Sequence, residues 1–177
     1  MRKTTRWAIA GVGAVAVLGV VAGVAVGGSD RARAADGELA TGVSASPFDT
    51  GSPAVGKLDP ALLAALRTAA TDAKAQGIEL RITSGWRSRG YQQRLLDAAV
   101  AKHGSLELAR RYVNTPEKSA HVSGKAVDVG PTDADDWLNR KGAKYGLCQV
   151  YANEMWHFEL LTTPGGRCPS QLPDAAG

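Results

Sequence analysis

Two short stretches hold most of the residues in this chain that could do chemistry. The first is Ser119-Ala120-His121-Val122-Ser123-Gly124-Lys125-Ala126-Val127-Asp128, and the second is Glu154-Met155-Trp156-His157. His121, Asp128 and His157 together offer two imidazoles and a carboxylate. That is a ligand mix for a catalytic zinc, which keeps its fourth position for water. Other divalent ions are compatible with the same donors. Glu154, three residues before His157, is a carboxylate placed to take the proton of that water. Of the 3 histidines in the chain, two fall inside these motifs.

Taken singly, each residue has a plainer reading. A histidine beside an aromatic residue is commonly structural. Asp128 alone reads as a strand-end cap, and Glu154 alone as a solvated loop carboxylate. His103 reads as a cation at the end of a helix, and Asp133, Asp135 and Asp136 as an acidic cluster at the start of one. The metal reading rests on the grouping.

These side chains need strands to aim them. In a strand over Trp156–Leu161, His157 and Glu159 share one face, and Trp156 and Phe158 take the other, toward the core. In a strand over Lys125–Val129, Asp128 points opposite to Val127 and Val129. Glu154 lies an odd number of residues before His157, so the backbone must bend between Asn153 and Trp156. Gly124 lets the chain turn so that His121 and Asp128 converge.

Upstream, Asp59-Pro60 starts a helix in which Leu62, Leu63, Leu66, Ala69, Ala70 and Ala73 recur at helical spacing, and Gly77 stops it. Ile78–Thr83 alternates as a half-buried strand. A second helix over about Gly90–Lys102 carries Tyr91, Leu95, Ala98 and Ala99 on one side. Ser105 caps a short third helix through Tyr112. Thr132 or Asp133 caps a helix ending near Gly146, and Leu147–Tyr151 is a further strand. The expected class is α+β: a small, largely antiparallel sheet carrying the metal site, flanked by helices.

The chain has 177 residues, and its N-terminus is set apart. Arg2, Lys3 and Arg6 precede a run from Trp7 to Gly28 without a charged residue. Residues 1–28 read as an export signal, with cleavage near Ala34, or as a single membrane anchor. Either one places the remainder outside the cell. Gly19, Gly23 and Gly27 have the spacing of a helix-dimerisation face but read as accident in a Gly-rich run. Residues 29–57, poor in large apolar side chains, read as a flexible linker. The folded domain is expected over 58–170 and a tail over 171–177. Residues 1–34 hold 5 of the 21 Lys and Arg and 1 of the 17 Asp and Glu, so the remainder is neutral. The basic excess belongs to the targeting segment and gives no basis for a nucleic-acid partner. Cys148 and Cys168 fit a disulfide in an exported chain. Their wide spacing, with no second cysteine near either, argues against zinc ligands.

The order Ser-x-His-x-x-Gly-x-Ala-x-Asp and then Glu-x-Trp-His resembles the zinc D-alanyl-D-alanine carboxypeptidases of the vancomycin-resistance type. Ser84-Gly85-Trp86-Arg87-Ser88 matches an upstream element of that family, and Gln92 stands where its glutamine follows. The resemblance covers about Leu58 to Leu160. It implies that His121, Asp128 and His157 hold Zn²⁺ and that Glu154 is general base, then general acid to the leaving amine. It implies further that Arg87 stabilises the scissile carbonyl oxygen or pairs with a substrate carboxylate, and that Ser119 and Gln92 bind the peptide end. Trp86 replaces a tyrosine common in the family, and Ala120 a larger polar residue. The implied activity removes the terminal D-alanine from peptidoglycan stem peptides ending in D-Ala-D-Ala. An endopeptidase, a dipeptidase and a non-catalytic wall-binding domain remain as alternatives.

Overall fold

The computed structural model describes residues 27–177. The candidate anchor therefore lies outside the described residues, save for Gly27 and Gly28. None of the described helices is long and apolar enough to cross a membrane.

Helix α3, Pro60–Lys74, is capped by Asp59, whose carboxylate accepts from the amides of Ala61 and Leu62. Such a cap satisfies amides that the first helical turn leaves without partners. All six apolar residues read from the helical spacing are buried. They pack with Trp137 and Leu138 of α6 (Thr132–Lys141) on one face of a four-stranded antiparallel sheet. The sheet runs β1 (Arg81–Ser84), β2 (Ala126–Gly130), β4 (His157–Leu160), β3 (Leu147–Gln149). Val127 and Val129 of β2 and Phe158 of β4 point into this core, as alternation predicts. Asp128 and His157 are direct cross-strand partners and so share the other face.

On that second face Asp128 and His157 share a cleft with residues of the loop after β1, of α4 (Arg89–His103) and of the segment from α5 (Leu106–Ala109) to β2. Helix α4 differs from its expected packing. Gln92, Leu96 and Ala99 are the buried residues, while Ala98 is exposed and Tyr91 and Leu95 are intermediate. The helix turns inward by about one residue because the glutamine amide finds partners inside. Strand β1 begins later than expected, although Leu80 and Ile82 are both buried. Helix α6 has Pro131 at its N-cap, which offers no side-chain bond; Asp133 lies inside the first turn and its Oδ1 accepts from the Ala134 amide at 3.0 Å, and the helix gives way at Lys141 to a 3₁₀ turn over Gly142–Tyr145.

The expected linker over 29–57 is corrected by the structure. Helix α1 (Gly27–Ala35) is exposed, but the chain from Asp36 onward is tied to the domain. Ala45 exchanges both backbone hydrogen bonds with Ile82 at 2.8 and 2.9 Å and so extends the β1 edge. Ala54 and Val55, in the short helix α2 (Pro53–Gly56), are fully buried. Small apolar residues fit here because the backbones approach closely. The Ala54 carbonyl accepts from the Trp86 amide at 2.8 Å, and a Cβ on Gly85 would sit 1.9 Å from that same oxygen.

Candidate active site

Residues distant in sequence meet above β2 and β4. The His121 ring Nδ1 lies 2.8 Å from the Gly85 carbonyl, which can only accept, so Nδ1 carries the hydrogen and Nε2 presents a lone pair. The His157 Nε2 lies 3.1 Å from Glu159 Oε1, so it donates there and Nδ1 presents a lone pair. These two nitrogens are 3.2 Å apart, and they stand 3.3 and 3.2 Å from Asp128 Oδ1. With both rings neutral, three acceptors would face one another without a hydrogen between them. Such an arrangement repels itself until a proton or a cation enters it. The donor atoms of His121, Asp128 and His157 lie within 4.8 Å of one another, and all three residues are buried, so the group fits a single metal ion. Two imidazoles and a carboxylate suit zinc.

The electrostatics agree. Burial opposes charge on Asp128, but His121, His157 and Arg87 outweigh it and hold the carboxyl well below its ordinary value. Burial also opposes charge on His157, and hydrogen bonds to Asp128 and Glu159 reverse that, raising it to about 9. His121 is pushed down, first by burial and then by Arg87. The spot between the two rings favours positive charge.

Gly124 closes the turn between His121 and Asp128, as expected. Its φ is 72°, and a Cβ there would sit 2.5 Å from the Lys57 carbonyl oxygen. The expected bend before His157 is also present. The Glu154 amide donates to Tyr151 and its carbonyl accepts from the His157 amide, so two successive turns swing the side chain back toward the ring. Glu154 Oε2 lies 3.8 Å from His157 Nδ1. Burial, opposed by His157, raises the Glu154 carboxyl to about 7. Trp156 departs from its expected inward orientation. It is 43% exposed and lines the cleft, because the strand begins only at His157 and alternation does not reach it.

Arg87 is deeply engaged. Its Nε donates to Ser84 Oγ at 2.9 Å, Nη1 to Gln92 Oε1 at 3.2 Å and Nη2 to Asp128 Oδ2 at 2.9 Å. A guanidinium has five N–H groups, so two remain for another partner. Gln92 is buried with both ends occupied, since its Nε2 donates to the Asn114 carbonyl at 2.8 Å. It braces Arg87 and the Asn114 loop. Ser119, also buried, lines the same cleft of about 200 Å³ as Arg87, Gln92, Ala120, Glu154 and the three metal-site residues. Leu95, Tyr112, Val113, Asn114, Tyr151 and Ala175 complete its walls with Trp156, and none of these six was expected in the site. No motif marks them, since they enter through tertiary packing.

The family model described as VanY, D-alanyl-D-alanine carboxypeptidase, matches residues 56–162, which include every one of the expected metal and catalytic residues. This chain belongs to the VanY family. The chain is also similar to the carboxypeptidase-named protein YodJ of Bacillus subtilis (strain 168). It is 28% identical over 120 residues, covering 55% of this chain and 44% of that protein. The chain thus spans less than half the length of that curated relative. The fold is shared with a vancomycin-resistance D,D-pentapeptidase VanY variant in complex with Zn(II), at TM-score 0.54 and 24% identity over 58% of this chain and 71% of that one. It is shared also with VanYB in complex with D-alanine-D-alanine, at TM-score 0.56 and 22% identity over 59% and 72%. The LdcB LD-carboxypeptidase aligns at TM-score 0.52 and 26% identity over 58% of each chain.

Proposed function

We propose that this protein is a zinc-dependent carboxypeptidase that removes the terminal D-alanine from peptidoglycan stem peptides ending in D-Ala-D-Ala. The observation that carries the proposal is the convergence of three acceptors, His121 Nε2, His157 Nδ1 and Asp128 Oδ1, beside a buried carboxyl at Glu154. Family membership supports the reaction class. Zinc held by His121, Asp128 and His157 would supply Lewis acidity, polarising a carbonyl and acidifying water. Glu154, whose carboxyl titrates at about 7, is suited to take a proton from the attacking water and give it to the leaving amine. Arg87 keeps two N–H groups for the scissile carbonyl oxygen or a substrate carboxylate, and its bond to Asp128 fixes the direction in which they point. Ser119 faces the same cleft as a partner for the peptide end.

The N-terminal charge pattern and the Cys148–Cys168 disulfide support an extracytoplasmic location, where a wall substrate is met, with the N-terminal segment as membrane anchor or cleaved signal.

The test uses the full chain with zinc, a stem pentapeptide ending in D-Ala-D-Ala, the corresponding tetrapeptide, and mass spectrometry of the products. Loss of one alanine from the pentapeptide is expected. Glu154→Ala should keep one zinc per chain while turnover falls by about 10²–10⁴-fold. Cleavage of the tetrapeptide alone would shift the substrate class toward that of LdcB. Zinc binding with neither peptide cleaved would favour a wall-binding domain.

A further inference from the structure

Residues 168–176 lie beyond the part of the chain that the family model matches, yet they reach the cleft. The disulfide of Cys168 to Cys148 on β3 starts this segment at the sheet. It then runs beside the turn that carries Glu154. The Leu172 amide donates to the Val150 carbonyl at 2.9 Å, and the Ala152 amide donates back to Leu172 at 2.8 Å. From there it crosses to the segment after α5. Arg111 Nε donates to Asp174 Oδ2 at 2.8 Å, and the Arg111 carbonyl accepts from Asn153 Nδ2 at 3.1 Å. Asp174 and Ala175 are both buried, and Ala175 lies in the cleft wall. The expected tail is therefore a strap that joins two cleft-lining segments, one bearing Tyr112 and Asn114 and the other Tyr151 and Glu154.

We infer that this strap is the specificity-determining end wall of the cleft, which makes the enzyme cut at a chain terminus. The inference rests on the peptidase reading above. A peptide cut internally must leave an active-site cleft at both ends, whereas a terminal residue needs one closed end. A stem peptide must leave toward the wall on its N-terminal side, so the closed end is the one that receives the C-terminal residue. The strap bridges the two segments through Leu172, Asp174 and Ala175 and sets Ala175 in the cleft wall between them. Ala175 presents the smallest side chain that still forms a wall, which suits a residue of alanine size.

The test compares a pentapeptide ending in D-Ala-D-Ala with the same peptide extended by two glycines. The zinc-loaded full chain should cleave the first at least about 100-fold better in kcat/KM. Truncation after Pro169 keeps the disulfide and should bring the two substrates to within about tenfold of each other, with an internal cut in the longer one. Ala175→Trp narrows the end pocket and should lower kcat/KM on the pentapeptide by about tenfold or more, mainly through KM, at unchanged zinc content. Equal cleavage of both peptides by the unaltered chain would overturn the inference, as would a truncated protein that still cuts only at the terminus. Should the truncated chain fail to fold, a silent Ala175→Trp substitution would overturn it. An unaltered chain that cleaves neither peptide would instead sink the peptidase reading.

Discussion

Each histidine of the site has one nitrogen committed to an outer protein acceptor and turns the other toward Asp128. For His121 the acceptor is the Gly85 carbonyl, and for His157 it is Glu159, two residues along the same strand face. Such outer partners fix the tautomer and the ring direction and raise the basicity of the ligand nitrogen. Glu159 was noted by sequence only as a neighbour of His157 on that face, and the structure gives it a task. Glu159→Leu should weaken zinc binding by about 10–100-fold in a chelator competition, and Glu159→Gln, which can still accept the hydrogen bond, should recover much of the loss. Unchanged zinc affinity in the leucine variant would remove Glu159 from this role. Arg87 shows the complementary case. Its type was legible as a fork for carboxylates, but its first carboxylate is the metal-site Asp128 rather than one from a substrate.

Among the elements, the β2–β4 pairing matters most to the site, because the register Asp128↔His157 places two metal-site residues side by side on one face. A slip by one residue would send both into the core. Helix α6, packed on the opposite side, carries an uncompensated group. Asp135 is 5% exposed, and its Oδ1 finds no partner among the described residues. Burial, with Asp128 and Asp133 adding to it, raises its carboxyl to about 6 from an ordinary 3.8. The folded state therefore binds this proton more tightly than the unfolded state does. Its contribution favours folding below about pH 4 and is lost as pH rises through about 6. Asp135→Asn should stabilise the protein at pH 7 by on the order of 2 kcal/mol in denaturant melts, with the gain vanishing as pH falls toward 4. A gain independent of pH would show that the charge is not the cause.

For the molecule as a whole, the two ends of the described chain act as straps. The front strap, from Asp36 to Lys57, extends the sheet edge through Ala45 and backs the Gly85 and Gly124 turns. The rear strap is tied by Cys148–Cys168, a sequence separation of 20. In the chain-entropy picture a loop of this size contributes about 3 kcal/mol. Reduction should therefore lower the melting temperature by roughly 6–12 °C at this chain size. The loosened strap should also raise cleavage of C-terminally extended peptides relative to the pentapeptide. An unshifted melting temperature on complete reduction would mean that the strap is held by Arg111–Asp174 and the Leu172 backbone bonds alone.

Residue type and spacing were enough to mark the His121, Asp128 and His157 set, the carboxylate of Glu154 beside it, the disulfide, the α+β class and the apolar face of α3. Each of these is written in side-chain chemistry or in a short period, and neither needs distant residues to be read. Tertiary structure alone decided what a lack of large apolar residues concealed. Residues 36–57 look like a linker because they are small and polar, yet small residues are what close backbone approach at Gly85 and Gly124 requires. It also decided which face of α4 turns inward, since Gln92 is buried by partners at Arg87 and Asn114 that sequence does not place beside it. Tyr112, Asn114, Tyr151 and Ala175 came into the site in the same way. Periodicity names the faces of an element, and packing between elements chooses the neighbours.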